Sequence, residues 1–384
     1  MPKSERPPVL GIVTSTYHRS GETFVNHHID RLLGGNTVVV CNRFSGENPY
    51  DRPVFDLTGG PTRALDRLLA PPAMLTGYLR HRALNLPHGA RRRDLAAFLR
   101  EHEVRVILAE FGNRAIQIAP LANALGIPIF AYFRGFDASK LLREPLFVPA
   151  YKRLMPRLAG VFSVSQFLLD NLGQHGIRHA NARVVPSGAD TSFFVPGDKV
   201  PAEAVAVGRF VDKKAPQVTI QAFLDGARHV HGAHLHMIGD GPLLEPCRRM
   251  AEAKAPGRIT FHGAQDRDTI RDRLARASLF LQHSVTEPNG NTEGLPSSIQ
   301  EAMAAGCAVV STRHAGIPEA VTEGMTGRLV DEHDNRGFAT AIGDLLHRPE
   351  TAIAMGVSAR RVAVERFNKT TLTQRIEKAL HAAL

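Results

Sequence analysis

Two glutamates, Glu293 and Glu301, flank the start of a predicted helix and carry side chains that can bind hydroxyl groups. Glu293–Pro296 is typical of a loop, whereas Ser297–Ala305 has a helical pattern. A helix that opens from a glycine-containing turn presents free N–H groups and a positive dipole end, which together fit a diphosphate. Carboxylate oxygens accept several hydrogen bonds, so the two acids could hold a sugar and a ribose on either side of the phosphates. The same spacing also arises where acids simply stabilise a helix dipole.

The residues around this helix favour the same local structure. Pro296 suits a first helical position, because its φ is already helical and it lacks the N–H that would go unpaired there. Gly306 suits the left-handed residue that ends many helices. The apolar run Cys307–Val310 then predicts a buried strand.

The whole stretch from Ser284 to Gly306 resembles the E-x7-E signature of the family 4 glycosyltransferases, especially the bacterial polysaccharide enzymes of the colanic-acid type. The resemblance continues through Val309–Thr312, His314–Glu319 and Gly327–Val330. It implies an α/β protein of the GT-B fold, in which two doubly wound Rossmann-like domains face each other across a cleft. It also implies a hexosyltransferase that retains the anomeric configuration and needs neither a metal nor another cofactor.

Composition indicates an ordinary globular protein of two or three domains. The chain has 384 residues, of which 43% are hydrophobic and 22% charged. It contains no apolar run long enough to span a bilayer, and its first residues lack the apolar core of a secretory signal. The three cysteines are scattered in apolar surroundings, which favours buried thiols in a reducing compartment. We therefore expect a cytoplasmic protein.

The net charge of +10 points to anionic partners, and part of the excess is concentrated between residues 76 and 105. This segment contains seven arginines and three acids. A basic, partly amphipathic segment could lie on an anionic membrane surface, here the inner face of the cell membrane. A solvated helix face is the alternative. No interleaved aromatic residues or nucleic-acid-binding motif accompany the charges, so no nucleic-acid partner is expected.

Short apolar runs alternate with helical patterns along most of the chain, which predicts parallel, doubly wound sheets. One of the helical patterns is Glu22–Leu33, and no GxGxxG follows the first strand. Ligands of such sheets bind at the carboxyl ends of the strands. The predicted strands are Val9–Thr14, Thr37–Cys41, Val104–Ala109, Ile127–Phe133, Gly160–Val164, Ala204–Val207, His234–Ile238, Ile259–Gly263 and Leu279–Gln282.

Polar clusters follow two strands of the first half, at Glu110–Asn113 and Arg134–Asp137. The second cluster resembles the HG-x-D stretch of the family, with Arg134 in place of the histidine that faces the donor sugar. An arginine cannot act as a base at neutral pH, but it can neutralise a phosphate or a carboxylate. We hypothesise that Arg134 touches the donor diphosphate or an acidic group on donor or acceptor. Alternatively, it pairs with Asp137 to hold the loop.

Further motifs complete the resemblance. The stretch Ser20–Val25 resembles the family's SETF segment, where Gly21 would border the donor. Arg209 and Lys214 match the two cations that the family places on the donor diphosphate. The turn after His234–Ile238 and the strand end at His262 match the places where the family receives the donor and its base, although His262 could equally be structural.

These matches define a predicted site. The residues predicted to bind the donor are Gly21, Gly208, Arg209, Lys214, Gly239, Gly241, His262, Glu293, Gly294, Leu295, Pro296, Ser297 and Glu301. Those predicted to act in catalysis are Glu293, Arg134, Asp137, Arg209 and Lys214. We expect an acceptor-binding domain at 1–195, a nucleotide-sugar-binding domain at 196–366, and a terminal helix at 367–384 that returns to the first domain.

The resemblance implies transfer from a nucleotide-diphosphate sugar to a saccharide or lipid-linked acceptor in the synthesis of a bacterial surface or exported polysaccharide. Transfer to a small-molecule acceptor and epimerisation of a nucleotide sugar by the same fold are the alternatives. Front-face departure and attack, or a covalent intermediate on a carboxylate, would each retain the configuration. A non-catalytic carbohydrate or nucleic-acid binder and a dehydrogenase are rival classes.

Overall fold

The computed structural model describes residues 8–19, 21–59 and 64–384, so Ser20 of the predicted donor-bordering loop lies outside it. The chain divides into two compact units, one formed by Met1–Val185 with Thr373–Leu384 and the other by Pro186–Leu372. Within the described residues, no helix combines the length and hydropathy of a bilayer-spanning segment.

The first unit is built on a seven-stranded parallel sheet with strand order β3-β2-β1-β4-β5-β6-β7. Its strands are β1 Val9–Thr16, β2 Thr37–Arg43, β3 Val54–Asp56, β4 Val104–Glu110, β5 Ile129–Phe133, β6 Gly160–Ser163 and β7 Ala182–Val184. Its helices are α1 Thr23–Arg31, α2 Ala64–His81, α3 Gly89–Glu101, α4 Gly112–Ala124, α5 Phe147–Leu154 and α6 Gln166–Gln174. Consecutive residues of β4 are fully buried, as expected for a parallel strand covered on both faces.

The second unit repeats this plan with a six-stranded parallel sheet of order β10-β9-β8-β11-β12-β13. Its strands are β8 Val200–Val207, β9 His234–Ile238, β10 Ile259–Gly263, β11 Ala277–Gln282, β12 Ala308–Thr312 and β13 Gly327–Val330. The helices that follow Val185 are α7 Pro216–Gly226, α8 Leu244–Lys254, α9 Arg267–Arg276, α10 Ser297–Ala304, α11 Ile317–Ala320, α12 Asn335–His347, α13 Pro349–Arg366 and α14 Lys369–His381. The predicted doubly wound α/β architecture is thus confirmed in both units.

The sheet of the second unit separates two hydrophobic clusters. Leu279 and Leu281 of β11 pack into one cluster, while Phe280 between them packs into the other. This alternation follows from the two-residue period of a strand. A central strand buried on both faces is held firmly, so the loops that leave its carboxyl end start from a rigid base.

Several element boundaries differ from the predictions. The edge strands β3 and β7 were not predicted, since three residues are too few to establish a pattern. Strand β8 begins at Val200 rather than Ala204, and its pairing with β11 shifts register across this segment, which contains Pro201. Helix α10 begins at Ser297 as predicted, but Pro296 is its N-cap with extended backbone (ψ 129°) rather than its first helical residue.

The residues around 186–195 belong to the second unit, although the predicted first domain extended to 195. The Gly188 N–H donates to Gln300 Oε1 at 2.8 Å, and the Ala189 N–H donates to the Phe367 carbonyl at 2.8 Å. These hydrogen bonds fix the segment to α10 and to the end of α13. From Thr373 onward the chain is counted with the first unit, where the Leu33 N–H donates to Glu377 Oε1 at 2.8 Å.

The turns after β8 and β9 approach each other closely at Gly239. Its φ is +140°, and a Cβ built there would lie 2.0 Å from the Gly208 carbonyl oxygen. Only glycine permits both the backbone conformation and the contact. The approach fixes the loop that begins at Gly208, which carries the predicted cations Arg209 and Lys214.

We predict that Gly239→Ala lowers the free energy of unfolding by about 2–3 kcal/mol, because the added methyl group forces the two turns apart. Gly232→Ala is the matched control: Gly232 also has positive φ (+74°), but nothing lies within 4 Å of its added Cβ. It should cost only about 1 kcal/mol. Equal losses in the two variants, measured by thermal and denaturant unfolding, would mean that the turn contact does not matter.

Candidate functional site

Most of the predicted donor-binding residues of the second unit lie at the carboxyl edge of its sheet. Gly208 follows β8, Gly239 follows β9, and the loop to Glu293 follows β11. Because all these strands are parallel, their carboxyl ends share one edge. Side chains distant in sequence are therefore brought together there.

Glu293 lies against two lysines. Its Oε1 is 3.2 Å from Lys214 Nζ, and its Oε2 is 3.6 Å from Lys213 Nζ. Burial raises the pKa of the Glu293 carboxyl, but the charges of Lys214 and Lys213 lower it by more, and the resulting pKa is about 2. Burial lowers the pKa of Lys214, and Glu293 opposes this effect. At neutral pH Glu293 is thus a carboxylate in a strongly cationic environment.

Gln282, the last residue of β11, connects this charged group to helix α10. Its Oε1 accepts hydrogen bonds from Lys214 Nζ and from Ser298 Oγ, each at 3.2 Å. Its Nε2 donates to Ser284 Oγ at 2.8 Å. The side chain is 4% exposed, so this amide orients Lys214 relative to the first turn of the helix.

The start of α10 and the loop after Gly208 can bind an anion. In the described chain, no side chain caps α10 at Pro296, so the first N–H groups of the helix are left for water or a ligand. Arg209 is exposed, and no described ion pair occupies it. The aliphatic stem of Lys214 packs over Gly208, where a Cβ would lie 2.8 Å from Lys214 Cδ. Main-chain donors and two cations therefore occur at one edge of the sheet.

The loop residues between Glu293 and α10 contribute mainly through their backbone. Leu295 is 5% exposed and packs into a hydrophobic cluster, and Pro296 is also buried. The Gly294 carbonyl accepts a hydrogen bond from the Gly316 N–H at 2.8 Å. These contacts hold the main chain at the entrance to Ser297.

Glu301 and His262 are not joined to the Glu293 group. Glu301 is partly buried; burial raises its pKa, while Lys369 and Arg267 oppose the rise. Among the described residues, no ion pair links Glu301 to the lysines beside Glu293. His262 Nε2 lies 3.1 Å from His236 Nδ1, within a histidine cluster on β9 and β10. Gly241 (φ +152°) lies against Phe210, next to the turn at Gly239.

In the first unit, Arg134 is committed to a partner that the sequence analysis did not identify. Its Nε and Nη2 donate to Glu110 Oε2 at 2.8 and 2.7 Å, and Glu110 Oε1 contacts His28 Nδ1. The guanidinium lies between the rings of Phe24 and Tyr132, 3.9 and 3.8 Å from their centroids. Burial raises the pKa of Glu110, but Arg134 and His28 lower it by more, so the pKa lies below its ordinary value. The guanidinium thus pairs with Glu110, while the main-chain N–H of Arg134 donates to Asp137 Oδ1 at 3.0 Å and so holds the loop.

Asp137 is fully buried, and main-chain donors surround its carboxylate. Its Oδ1 accepts hydrogen bonds from the N–H groups of Arg134 and Gly135, both at 3.0 Å, and Oδ2 accepts from Gly112 N–H at 2.8 Å. Burial raises the pKa of Asp137, and these hydrogen bonds oppose the rise. The geometry favours a residue that shapes the loop after β5 over one that contacts substrate.

Gly21, the predicted donor-binding residue of the first unit, is exposed.

Sequence reasoning missed Lys213, Gln282 and the role of Glu110. Lys213 precedes the matched Lys214, and Gln282 is the last residue of the predicted strand Leu279–Gln282. No local pattern distinguishes either residue from a neighbour on a parallel strand or its loop. The position of Glu110 at the end of a predicted strand, one strand away from Arg134, was the available signal for the buried ion pair.

Two family models cover most of the chain. The description "Glycosyltransferase Family 4" matches residues 25–193, and "Glycosyl transferases group 1" matches residues 201–348. The chain is 30% identical over 288 residues to the putative colanic acid biosynthesis glycosyltransferase WcaL of Escherichia coli, which covers 72% of this chain and 70% of WcaL. It is 28% identical to the GDP-mannose-dependent alpha-(1-6)-phosphatidylinositol monomannoside mannosyltransferase of Mycolicibacterium smegmatis, covering 80% and 85% of the two chains.

Among solved structures, HepE of Anabaena in complex with UDP-glucose has a TM-score of 0.77 at 17% identity, covering 97% of this chain and 99% of HepE. Likeness at this identity speaks for the fold, and together with the two parallel-sheet units it confirms the predicted GT-B fold. The relatives do not favour the alternative classes considered from the sequence. The chain belongs to the bacterial family 4 glycosyltransferases.

Proposed function

We propose that this glycosyltransferase moves a hexose from a nucleotide-diphosphate sugar to a hydroxyl of a saccharide or lipid-linked acceptor, with retention of the anomeric configuration, in synthesis of a bacterial surface polysaccharide. The observation that carries the proposal is the ionised Glu293 carboxylate beside Lys213 and Lys214 at the uncapped start of α10. The relatives support the acceptor class, since the name of WcaL refers to colanic acid biosynthesis.

The diphosphate of the donor would bind where the positive charge is concentrated. Lys214 and Arg209 supply two cations, and the first N–H groups of α10 supply neutral donors. Such groups stabilise the charge that develops on a departing diphosphate, so no metal ion is required in the proposal. The expected insensitivity of transfer to a chelator tests this part.

The two glutamates would divide the sugars of the donor between them. Glu293 would accept hydrogen bonds from hydroxyls of the transferred sugar, because its lowered pKa keeps it ionised. Glu301 would accept from the ribose; it is partly exposed and has no described ion-pair partner to displace. His262 would lie near the base, as the family resemblance implies.

We infer a front-face reaction. The bond between the anomeric carbon and the diphosphate oxygen breaks, and a bond from that carbon to the acceptor oxygen forms on the same face. The acceptor proton moves to the departing phosphate. A covalent intermediate would need a carboxylate free to attack. Glu293 is held instead by two lysines, which favours a binding role.

The decisive experiment screens nucleotide sugars for binding and then for transfer. UDP-glucose and GDP-mannose belong in the panel, because HepE was crystallised with the first and the mycobacterial relative is named for a GDP-mannose donor. Transfer to saccharide and lipid-linked acceptors should give a product with the anomeric configuration of the donor, read by NMR. Donor consumption to an isomer without an acceptor would instead indicate an epimerase.

We predict that Glu293→Gln lowers kcat/KM by roughly 10- to 150-fold, the usual range for losing a hydrogen bond to a charged group. The factor should stay constant between about pH 5 and about pH 8, because the pKa of Glu293 is about 2 and the group remains ionised there. Glu365→Gln, at an exposed position of α13, is the control. Equal activity of both variants would contradict the proposal.

For Arg134 the ion pair with Glu110 gives a prediction that separates structure from catalysis. Arg134→Met should cost about 3–5 kcal/mol of unfolding free energy, because it leaves a buried carboxylate uncompensated. Arg134→Met with Glu110→Leu should recover much of that loss. Arg93→Met, at an exposed arginine, is the control.

The wild-type pair should contribute stability above about pH 4.5, the ordinary pKa of the glutamate, and lose it as the pH falls toward the lowered pKa of Glu110. If Arg134→Met melts like wild type yet abolishes turnover, Arg134 acts on a ligand, as first hypothesised. Thermal unfolding at several pH values, with turnover measured in parallel, distinguishes the two.

We also propose that the face around α2 lies on an anionic membrane surface at the inner side of the cell membrane. Leu75 and Leu79 are each 60% exposed, Met74 is 40% exposed, and the basic residue Arg80 is also exposed. Exposed apolar side chains next to arginines fit the boundary between acyl chains and anionic headgroups. The predicted basic segment 76–105 continues from this face.

We predict that Leu75→Ser with Leu79→Ser weakens binding to phosphatidylglycerol-containing vesicles at least about tenfold, because it removes two apolar side chains from the bilayer boundary. Val357→Ser with Val364→Ser, two exposed valines of α13, is the matched control. Binding measured by sedimentation should also fall with salt. Equal binding by both double variants, or equal binding to uncharged vesicles, would refute the membrane surface.

A further inference from the structure

The main chain of Glu293 is held by a buried histidine. The Glu293 N–H donates to His314 Nε2 at 3.0 Å, and His314 Nδ1 lies 2.7 Å from Glu332 Oε1. Because Nε2 accepts a hydrogen bond from a backbone donor, the proton of the neutral ring belongs on Nδ1 and is donated to Glu332. His314 is 1% exposed, so water does not compete for these hydrogen bonds.

Glu332 also holds the other end of the loop that carries Glu293. The Thr286 N–H donates to Glu332 Oε2 at 2.7 Å, and Thr286 Oγ1 donates to Glu332 Oε1 at 3.2 Å. Burial raises the pKa of Glu332, but the hydrogen bonds from His314 and Thr286 lower it by more, so the pKa lies below its ordinary value. One carboxylate after β13 therefore fixes both ends of the segment from Thr286 to Glu293.

Among the described residues, no hydrogen bond or ion pair joins His314 or Glu332 to Lys213 or Lys214, which face the Glu293 carboxylate. His314 follows β12 and Glu332 follows β13, whereas Lys213 and Lys214 follow β8. The carboxylate is thus drawn toward the lysines from one side, while its backbone is held from the other. A position fixed by two independent sets of contacts changes little when a ligand replaces one of them.

We propose that His314 and Glu332 are positioning residues for Glu293, which set the place where its carboxylate meets the transferred sugar. This inference rests on the proposed function of Glu293 in donor binding. It assigns to two residues of the chain a role in recognising the sugar part of the donor. Binding of the diphosphate, which the proposed function assigns to Lys214, Arg209 and α10, should not depend on His314 or Glu332.

The first test compares ligands with and without the sugar. His314→Ala should weaken binding of UDP-glucose or GDP-mannose about tenfold, as expected for losing one hydrogen bond, and leave binding of UDP or GDP unchanged. His314→Gln should restore most of the difference, because an amide offers an acceptor to the Glu293 N–H and a donor to Glu332. Glu332→Ala should behave like His314→Ala, and His347→Ala, at an exposed histidine, should match wild type.

A second measurement needs no donor. Hydrogen exchange of the peptide containing Thr286 to Glu293 should speed up in His314→Ala and Glu332→Ala, but not in His347→Ala. Unchanged exchange in the first two variants would overturn the inference. An equal loss of affinity for the sugar nucleotide and for UDP or GDP would also overturn the inference, since the two residues would then act only on general stability.

The outcome can be separated from a failure of the proposed function. If Glu293→Gln weakens binding of UDP-glucose no more than binding of UDP, and of GDP-mannose no more than of GDP, the role of Glu293 in sugar binding is wrong. Hydrogen exchange alone then decides whether His314 holds the loop. If Glu293→Gln weakens binding of the sugar nucleotides selectively but His314→Ala does not, the proposed function stands and the positioning role is wrong.

Discussion

The candidate site of the second unit depends on the buried negative charge of Glu293, which is balanced by two lysines of a single loop. Glu293 is an acid at the edge of a sheet, and two lysines from the loop after β8 keep it ionised. An isolated carboxylate in this position would be costly, and the lysines alone would repel each other. The group is stable because acid and bases are brought together by parallel strands whose rigid cores are buried on both faces.

The first unit solves a similar problem differently. Arg134, Glu110 and His28 form a closed group in which each charge has a partner, and two aromatic rings cover the guanidinium. Such a group specifies the geometry of the strand ends, because any rearrangement would leave a charge uncompensated. Arg134, at the position where the family resemblance implied a histidine, thus helps to hold the ends of β4 and β5 together through its ion pair with Glu110. The Glu293 group, in contrast, has an exposed cation nearby in Arg209.

Sequence reasoning predicted the architecture, because the architecture depends on local patterns, and the same kind of pattern supplied the hypothesis for the site. Alternating apolar runs indicated two parallel sheets, and the stretch from Glu293 to Glu301 indicated a helix that starts beside a carboxylate. Lys214 was singled out by its match to a family element that also contains Arg209. The remaining partners could not be found in this way. Gln282 reaches Lys214, His314 reaches Glu293, and Glu110 reaches Arg134 only because strands far apart in sequence end side by side.

The loop between Thr286 and Glu293 closes on itself as well as on Glu332. The Glu287 N–H donates to the Asn291 carbonyl at 3.0 Å, and the Gly290 N–H donates to the Glu287 carbonyl at 2.7 Å, while Pro288 and Asn289 are exposed. The tip is thus a self-contained turn mounted on two anchored ends. Substitutions, insertions or deletions at that tip need not displace Glu293. Selectivity could therefore vary in evolution through the tip while the position of the glutamate stays the same.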